Sequence, residues 1–235
     1  MNALSGKTAL VTGGGSGVGL GTAQALAAAG CDVIITGRNE EKLRSVAGDT
    51  LRPIACDISN RDDVRSLFGQ ISAPEIIVNA AGINIVDRSM SKLSPEDFDR
   101  VIGINCTGFF NIMHAALPAM RERKDGLIFN ISSIAGKRAY PLAGAAYSAS
   151  KFGATGLASG AGAEEAANGI RITSICPGEI NTPILNDRPV PVPDEQKARM
   201  IHPEDIASLI VAIAQLPAHV VVPELIIKPT YQEYI

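Results

Sequence analysis

The sequence has no tryptophan, and aromatic residues make up only 4% of its 235 positions. Its four cysteines lie far apart, form no CxxC pair and have no group of histidines near them. We therefore interpret the cysteines as small buried hydrophobic residues in a reducing compartment, and we expect no disulfide and no metal site. These cysteines are Cys31, Cys56, Cys106 and Cys176.

The sequence also lacks an excess of charge of one sign and a long apolar run. The formal net charge is −3, which provides no electrostatic basis for binding nucleic acid. The N-terminal segment has no extended apolar region of the signal-peptide kind. The run IASLIVAIAQLP is about half as long as a membrane span requires. We expect a cytoplasmic protein without a nucleic-acid or membrane partner.

Hydrophobic residues account for 46% of the chain, and its length suits one domain covering 1–235. Short apolar, mostly β-branched segments alternate with longer segments of helical spacing. This alternation predicts an α/β fold, a Rossmann-like doubly wound parallel sheet of about seven strands with helices on both faces. The predicted strands are 8–12, 32–37, 51–57, 75–80, 127–132, 170–177 and 220–228, and the predicted helices are 17–29, 39–47, 60–69, 95–122, 147–168 and 203–215.

One stretch, 182–200, interrupts this pattern. It is rich in proline at its start, so we expect no helix there. A loop of this length inside a compact domain is usually functional, and we interpret it as a substrate loop that closes over the site.

Six glycines occur between positions 13 and 21, directly after the first predicted strand. In a doubly wound sheet this turn is the usual site for a phosphate, because the following helix offers free N–H groups. The mononucleotide pattern GxxxxGK[ST] is absent, and the strict GxGxxG pattern also fails. The spacing present is Thr12-Gly13-x3-Gly17-x-Gly19. A tight turn or close helix packing would explain these glycines equally well.

Further motifs follow in order: NAAG (79–82), NISSIAG (130–136), YSASK (147–151) and PGEINTP (177–183). Together with TGGGSGVG (12–19) they resemble the short-chain dehydrogenase/reductase family over almost the whole chain, with Ala80 where that family has a second Asn. The C-terminal stretch LPAHVVVPELIIKPT is similar to members that oxidise small hydroxy acids such as serine. The resemblance implies nicotinamide-coenzyme contacts by Gly13, Gly15, Ser16, Gly17, Val18, Gly19, Asp57, Ile58, Asn79, Ala80, Ala81, Gly82, Tyr147, Lys151, Pro177, Gly178, Ile180 and Thr182.

Tyr147 and Lys151 lie four residues apart and so share one helix face. A free tyrosine has a pKa near 10, too high for ready proton exchange at neutral pH. A lysine cation, together with the charge of an oxidised nicotinamide, favours the phenolate and makes Tyr147 a general acid and base. Alone, such a pair is usually an amphipathic tyrosine beside a solvated lysine.

Ser133 follows an apolar strand, so its hydroxyl is suited to hold a substrate carbonyl oxygen. Ser132 competes for this role, and the SIAG context favours Ser133. For Asn105 the resemblance implies a water that links Lys151 to solvent, and the alternative is a satisfied residue at a helix bend. The loop from Ser133 to Tyr147 is one residue longer than the family commonly shows.

Three charged residues near these motifs have open interpretations. Glu179 either binds a substrate hydroxyl or amine or points to water. Arg138 and Arg188 are candidates to pair with a substrate carboxylate, but we favour solvated loop positions for both.

Gly37 stands at the end of the second predicted strand, where NAD-selective relatives place an acid. Arg38 comes next, and its guanidinium suits the 2′-phosphate of NADP, with Asn39 as a further donor. Against this, Ser16 occupies a position where some NADP-using relatives carry a basic residue, and Arg38 has Glu40 or Glu41 as an alternative partner. The sequence favours NADP(H) over NAD(H).

These observations predict an NADP(H)-dependent oxidoreductase that interconverts a small-molecule carbonyl and a primary or secondary alcohol. The alternatives are a coenzyme-binding regulatory protein without turnover and a dehydratase or epimerase on the same scaffold. The glycines of KFGATGLASGAGAEEAA each cost about 1 kcal/mol against alanine in a helix, which favours close packing of another helix. The family's habit of pairing this helix and the 95–122 helix across subunits predicts a homodimer or homotetramer, and packing within the monomer is the alternative.

Overall fold

A single parallel sheet of seven strands organises the computed structural model, which describes residues 4–233. The strand order is β3-β2-β1-β4-β5-β6-β7, so the chain reverses its direction of winding between β1 and β4. In such sheets a crevice opens at this point, beyond the carboxyl ends of the strands. The strands are β1 (Thr8–Thr12), β2 (Asp32–Gly37), β3 (Leu51–Ala55), β4 (Ile76–Asn79), β5 (Gly126–Ile131), β6 (Ile170–Pro177) and β7 (Glu224–Ile227).

Helices cover both faces of the sheet. A π-helical turn, Gly103–Thr107, joins the fourth and fifth helices, and three short 3₁₀ segments occupy Ile134–Gly136, Ala166–Asn168 and Pro183–Asp187. The α-helices are α1 (Gly17–Ala28), α2 (Glu40–Ala47), α3 (Arg61–Gly69), α4 (Pro95–Ile102), α5 (Gly108–Arg123), α6 (Ala145–Glu165), α7 (Asp194–Lys197) and α8 (Pro203–Ala214).

Side chains at the helix starts explain where several helices begin. The Asn39 side chain accepts a hydrogen bond from the backbone N–H of Lys42 at 2.8 Å. Ser94 accepts from the N–H of Asp97 at 3.1 Å, with Pro95 at the first helical position. Each cap satisfies a backbone donor that has no partner within its own helix.

The strands are buried on both faces because alternate side chains enter two hydrophobic layers. Val11, Ile35, Val78 and Phe129 belong to one layer, which α1 and α8 cover. The intervening residues Leu10, Ile34, Ile77 and Ile128 belong to the other layer, with residues of α3, α5 and α6. The predicted fold class is confirmed, and residues 1–3 and 234–235 of the predicted domain lie outside the described range.

Two details of the predicted pattern were wrong. The start of 182–200 is helical, because Pro183 occupies the first position of a 3₁₀ segment, where a missing N–H costs nothing. The predicted helix 95–122 is interrupted by the π turn at Gly103–Thr107. Between residues 4 and 233, the stretch Pro95–Arg123 is the one helix long and apolar enough to cross a membrane by length and composition. Because 56% of its apolar window is buried in the protein, we interpret it as a core helix, and a cytoplasmic location stays a prediction.

All four cysteines are free thiols, three buried and Cys106 half-buried. Burial raises the pKa of Cys31 and of Cys56 to about 11, so both remain thiols at neutral pH. Within residues 4–233, no group of three or more His, Cys, Asp or Glu side chains is placed to hold a metal ion.

Candidate active site

A cavity of about 500 Å³ opens at the carboxyl edge of the sheet, at the reversal point between β1 and β4. The turns after β1, β4, β5 and β6 contribute to its walls, and the 183–188 segment closes one side. The fold therefore collects the sequence motifs, which are distant along the chain, around one space.

The glycine-rich turn is shaped first by packing within the chain. Gly13 has a φ of +66°, and a Cβ there would lie 2.8 Å from Cα of Ala81. A Cβ at Gly19 would overlap the backbone carbonyl of Gly13, so no side chain fits between α1 and the turn. The alternative explanation by close packing is thus correct for these two glycines. Their packing brings the beginning of α1 directly to the cavity.

The first turn of α1 is suited to receive an anion. Ser16, Gly17, Val18 and Gly19 line the cavity. The Ser16 side chain makes no capping bond, and the first turn contains no acidic residue. The first N–H groups of a helix have no partner within it and carry the positive end of its dipole. These residues fit the pyrophosphate of a dinucleotide, which needs closely spaced donors and no side chain in the way.

A hydrogen-bonded brace joins the ends of β1 and β4 below this turn. The Thr12 hydroxyl donates to Oδ1 of Asn79 at 2.9 Å and accepts from the N–H of Ala81 at 3.2 Å. Both side chains are buried. Asn79 therefore positions the turn from beneath instead of lining the cavity.

Most of the predicted coenzyme residues are brought together by the fold. Four of them, Gly15, Asp57, Ile58 and Asn79, lie outside the cavity wall, so their coenzyme contacts stay predictions. Asp57 accepts hydrogen bonds from the N–H and hydroxyl of Ser59, at 2.9 and 2.6 Å. The predicted residues that line the cavity are Gly13, Ser16, Gly17, Val18, Gly19, Arg38, Ala80, Ala81, Gly82, Tyr147, Lys151, Pro177, Gly178, Ile180 and Thr182.

Two basic residues, Arg38 and Lys42, line the end of the cavity that lies next to the start of α2. Arg38 is exposed, and its side chain makes no ion pair or hydrogen bond with any residue in 4–233. Glu40, its expected alternative partner, instead binds Arg44 at 2.5 Å. Lys42, in the first turn of α2, also lines the cavity and was missed by sequence reasoning.

Tyr147 and Lys151 lie in the first two turns of α6, with the Lys151 Nζ atom 5.6 Å from the centre of the Tyr147 ring. Lys151 is buried, and its ammonium donates to the Ile131 carbonyl at 2.8 Å. Burial lowers the pKa of Lys151 to about 8. Burial also raises the pKa of Tyr147 to about 12, against the opposing effects of the nearby Ser133 hydroxyl and the charge of Arg88. In the protein alone, the expected lowering of the Tyr147 pKa is therefore absent, because desolvation of the phenolate dominates.

The geometry separates the two neighbouring serines. The Ser133 hydroxyl accepts from the N–H of Ala135 at 3.1 Å, and its proximity acts to lower the pKa of the Tyr147 phenol. The Ser132 hydroxyl is bound to Thr155 at 2.7 Å and donates to the Lys151 carbonyl at 3.3 Å. Both serines line the cavity, but Ser132 is bound to residues of α6, whereas Ser133 is the serine that acts on the pKa of the phenol.

Asn105 lies in the π turn between α4 and α5 and is buried. Its Oδ1 accepts from the N–H of Ile83 at 2.8 Å, and its Nδ2 donates to the Ile83 carbonyl at 2.9 Å and to Ser150 at 3.0 Å. Both ends of the Asn105 amide are therefore hydrogen-bonded within the protein, as expected for a structural residue at a helix bend, and these bonds hold the turn after β4 in place. Its water-holding role stays a prediction.

Glu179 lines the cavity and does not point to water, since its side chain is only 11% exposed, and its binding of a substrate hydroxyl or amine stays a prediction. Its carboxylate accepts from Arg188 at 2.8 Å, from the Tyr231 hydroxyl at 2.6 Å and from Gln196 at 3.4 Å. Burial alone would raise its pKa, but the hydrogen bonds from Tyr231 and Arg188 outweigh burial, and the pKa is lowered. The interpretation of Arg188 as a solvated residue is wrong, because its side chain is only 15% exposed. Arg138 lies outside the cavity wall.

Several cavity residues carried no signal in the sequence. Arg88 belongs to a polar loop after β4 that no motif marks, yet it is only 7% exposed. Tyr140 is the second tyrosine of the cavity, and burial raises its pKa. Ile83 and Asn84 are further wall residues that sequence reasoning did not anticipate, whereas Ile184, Leu185 and Asp187 belong to the predicted substrate loop 182–200.

This fold, with a glycine turn before α1 and a Ser133–Tyr147–Lys151 group across the cavity, is that of a Rossmann-like oxidoreductase. A family profile described as short chain dehydrogenase matches residues 7–190, and the chain belongs to that family. It is an oxidoreductase of the class that acts on CH–OH and C=O groups.

Individual relatives cover nearly the whole chain. An uncharacterized oxidoreductase of Staphylococcus aureus strain MW2 is 32% identical over 240 aligned positions, covering 97% of this chain and all of the relative. The closed form of a serine dehydrogenase complexed with NADP⁺ has a TM-score of 0.88 at 29% identity, covering 97% of this chain and 96% of its own. A 3-ketoacyl-(acyl-carrier-protein) reductase from Brucella melitensis, complexed with NADH, has a TM-score of 0.87 at 27% identity, covering 97% and 99%.

The buried ammonium of Lys151 leads to a prediction about stability. Because its pKa falls from 10.5 to about 8 on folding, the charged form destabilises the folded state at pH 7. We expect Lys151→Met to raise the melting temperature at pH 7. As pH rises from about 8 to 10.5, the folded parent loses this proton before the unfolded chain does, so the parent gains stability. The difference in melting temperature between Lys151→Met and the parent therefore becomes smaller.

Thermal unfolding followed by circular dichroism between pH 6.5 and 10.5 measures this difference. Lys92→Met, which changes an exposed lysine, should show no such pH dependence. A Lys151→Met melting temperature below that of the parent at pH 7 would show that the hydrogen bond to Ile131 outweighs the cost of burying the charge.

Proposed function

We propose that this protein is an NADP(H)-dependent oxidoreductase that interconverts a small-molecule carbonyl and its alcohol, with Tyr147 as general acid and base. The observation that carries the proposal is the placement of Ser133, Tyr147 and buried Lys151 in the wall of one cavity, with the Lys151 Nζ atom 5.6 Å from the centre of the Tyr147 ring. This group faces the same cavity as the uncapped N-terminus of α1.

The two hydroxyls are placed to hold one oxygen atom of a substrate. Ser133 and Tyr147 both donate to a carbonyl oxygen, where negative charge grows as the carbonyl is reduced. The bound coenzyme supplies or accepts the hydride. In the reductive direction a C–H bond forms at the carbonyl carbon, the C=O π electrons move to oxygen, and Tyr147 gives its proton to that oxygen.

Proton donation by Tyr147 needs positive charge near the phenol. Burial raises its pKa to about 12, so the phenol holds its proton at neutral pH but is a weaker acid than a free tyrosine. In the oxidative direction Tyr147 must instead accept a proton, and positive charge near the phenolate favours this state. Lys151 supplies part of that charge, because a pKa of about 8 leaves most of the ammonium protonated at pH 7.

Tyr147→Phe removes the proton that the proposed reduction consumes. We expect turnover to fall by about 10²-fold or more, the usual loss for a general acid, with coenzyme affinity kept. The change in reduced-nicotinamide absorbance with a panel of aldehydes and ketones measures the rate, and quenching of coenzyme fluorescence measures the affinity. The panel also detects a regulatory protein, which consumes no coenzyme in either form.

Tyr140→Phe is the matched control, because it removes the other phenol of the same cavity and leaves Tyr147, the phenol next to Lys151, in place. It should retain at least about a tenth of parental turnover. Turnover of Tyr147→Phe within about threefold of the parent would contradict the assignment.

The preference for NADP(H) is supported by charge at the α2 end of the cavity. Gly37 ends β2 without an acid, and the Arg38 guanidinium makes no ion pair or hydrogen bond within residues 4–233. Lys42 adds a second cation to the same wall. A 2′-phosphate would meet two basic groups there, whereas the ribose of NAD would find no carboxylate to bind its hydroxyls.

Titration of the protein with NADPH and with NADH tests this preference. We expect tighter binding of NADPH, and a fall of about 10-fold or more in the NADPH-to-NADH affinity ratio for Arg38→Leu, because a charge-assisted contact is lost. Arg44→Leu is the control, since Arg44 binds Glu40 on the outer face of α2. An unchanged ratio in Arg38→Leu would show that Arg38 does not bind the phosphate.

A homo-oligomer is supported by the glycines of α6. Gly153 packs within the monomer, because a Cβ there would lie 2.9 Å from Sγ of Cys106. A Cβ on Gly156 or on Gly160 would have no neighbour within 4 Å among residues 4–233, and both glycines are exposed on the helix that carries Phe152, itself 45% exposed. Packing inside the monomer therefore explains Gly153 but not these two, and a second subunit would account for them.

Light scattering measures the mass directly. We expect a mass of two or four chains for the parent, against 24.5 kDa for one chain. Gly160→Arg should reduce this mass because its side chain would enter the contact, whereas Gly69→Arg, on the exposed end of α3, should leave it unchanged. A parent mass near that of one chain at micromolar concentration would contradict the proposal.

A further inference from the structure

Arg88 joins three loops that surround the catalytic end of the cavity. Its Nε donates to the Ile85 carbonyl at 2.6 Å, and its Nη1 donates to the Leu142 carbonyl at 3.0 Å. Its Nη2 donates to the carbonyl of Asp187, in the segment that closes the cavity. The side chain is held in one place by these bonds and is only 7% exposed.

The positive charge of Arg88 has no ionic partner within residues 4–233. All three of its hydrogen bonds go to neutral carbonyl oxygens, and no carboxylate oxygen of those residues lies within 4.0 Å. The Asp187 carboxylate attracts Arg88 from beyond that distance. Arg188, the nearest cation, is already paired with Glu179 and repels Arg88. A guanidinium has five N–H groups, so Arg88 keeps two for a ligand.

The position of Arg88 places such a ligand at the reaction centre. Arg88, Ser133, Tyr140 and Tyr147 line the same cavity, and the charge of Arg88 acts directly on the Tyr147 phenol. An anionic group bound by Arg88 would therefore lie beside the carbon whose oxygen the two hydroxyls hold.

We propose that Arg88 binds a carboxylate of the substrate, so that the enzyme acts on small hydroxy acids and the corresponding oxo acids. This inference rests on the proposed function, because it needs Ser133 and Tyr147 to hold the reacting oxygen. A carboxylate matches one cation with two remaining donors. A phosphate dianion would bring a second negative charge towards Asp187 and Glu179, which line the same cavity.

The first test compares acids with neutral analogues of the same length, such as 3-hydroxypropionate with 3-hydroxypropionamide, and 3-hydroxybutyrate with its amide. We expect kcat/KM to be at least about 10-fold higher for the acid of a pair. Arg88→Met should remove most of this preference, because kcat/KM should fall by a larger factor for the acid than for the amide. Arg65→Met, an exposed arginine of α3, should keep the parental preference.

The second test uses only the parent protein, because Arg88→Met also removes three loop contacts and so can disturb folding. Propionate, which has no carbinol, should inhibit oxidation competitively with the alcohol, and propionamide should not at the same concentration. Equal kcat/KM for acids and amides, or equal inhibition by propionate and propionamide, would overturn the inference. Turnover of neutral alcohols would then still support the proposed function, whereas loss of turnover with every substrate would refute that function itself.

Discussion

The site depends on the contact between the turn after β1 and the turn after β4. Thr12 and Asn79 join the two strand ends by a buried hydrogen bond, and Gly13 lies against the backbone of Ala81 with no room for a side chain. This contact brings the N-terminus of α1 to the cavity edge. A larger residue at Gly13 would move α1 away, and the free N–H groups would then no longer line the cavity.

At the other end of the cavity, the protein keeps two buried cations that have no carboxylate partner among residues 4–233. The Lys151 ammonium and the Arg88 guanidinium are each at least nine-tenths buried, and both are bonded to backbone carbonyls instead of carboxylates. Carbonyl dipoles satisfy the donors but leave each charge in place. Positive charge that is not neutralised by the fold is what a phenol needs to give up a proton, and it is also what an anionic substrate needs in order to bind.

The segment between Thr182 and Met200 is held by a network centred on Glu179. Arg188 and Gln196 come from this segment and Tyr231 from the C-terminal part of the chain, and all three donate to one carboxylate. Arg88 adds a bond to the same segment through the Asp187 carbonyl. The wall of the substrate end therefore depends on contacts between residues that are far apart in the chain, 52 positions in the case of Tyr231 and Glu179.

The sequence by itself determined the fold class and most of the cavity wall around the glycine-rich turn, because these depend on local patterns. A buried strand is a continuous apolar run, and a helix is recognised by the 3.6-residue period of its apolar residues. The glycine turn after the first strand acts through its own backbone and the start of the next helix, which are adjacent in sequence. The bounds of the Glu40–Ala47 helix and the β1 strand could be predicted closely for this reason. Tyr147 and Lys151 were equally accessible, since one helix places them on one face.

Tertiary structure alone decided the substrate end. The sequence context favours Ser133 over Ser132, but the physical reason is tertiary, because Ser132 is bound to Thr155 and to the Lys151 carbonyl of α6 whereas Ser133 is not. Glu179 and Arg88 resemble ordinary polar loop residues until their partners are known, because burial and hydrogen bonding arise from distant segments that meet only in the folded chain. The Tyr147 pKa also depends on this packing, since desolvation is set by everything that surrounds the phenol and not by the lysine four residues away.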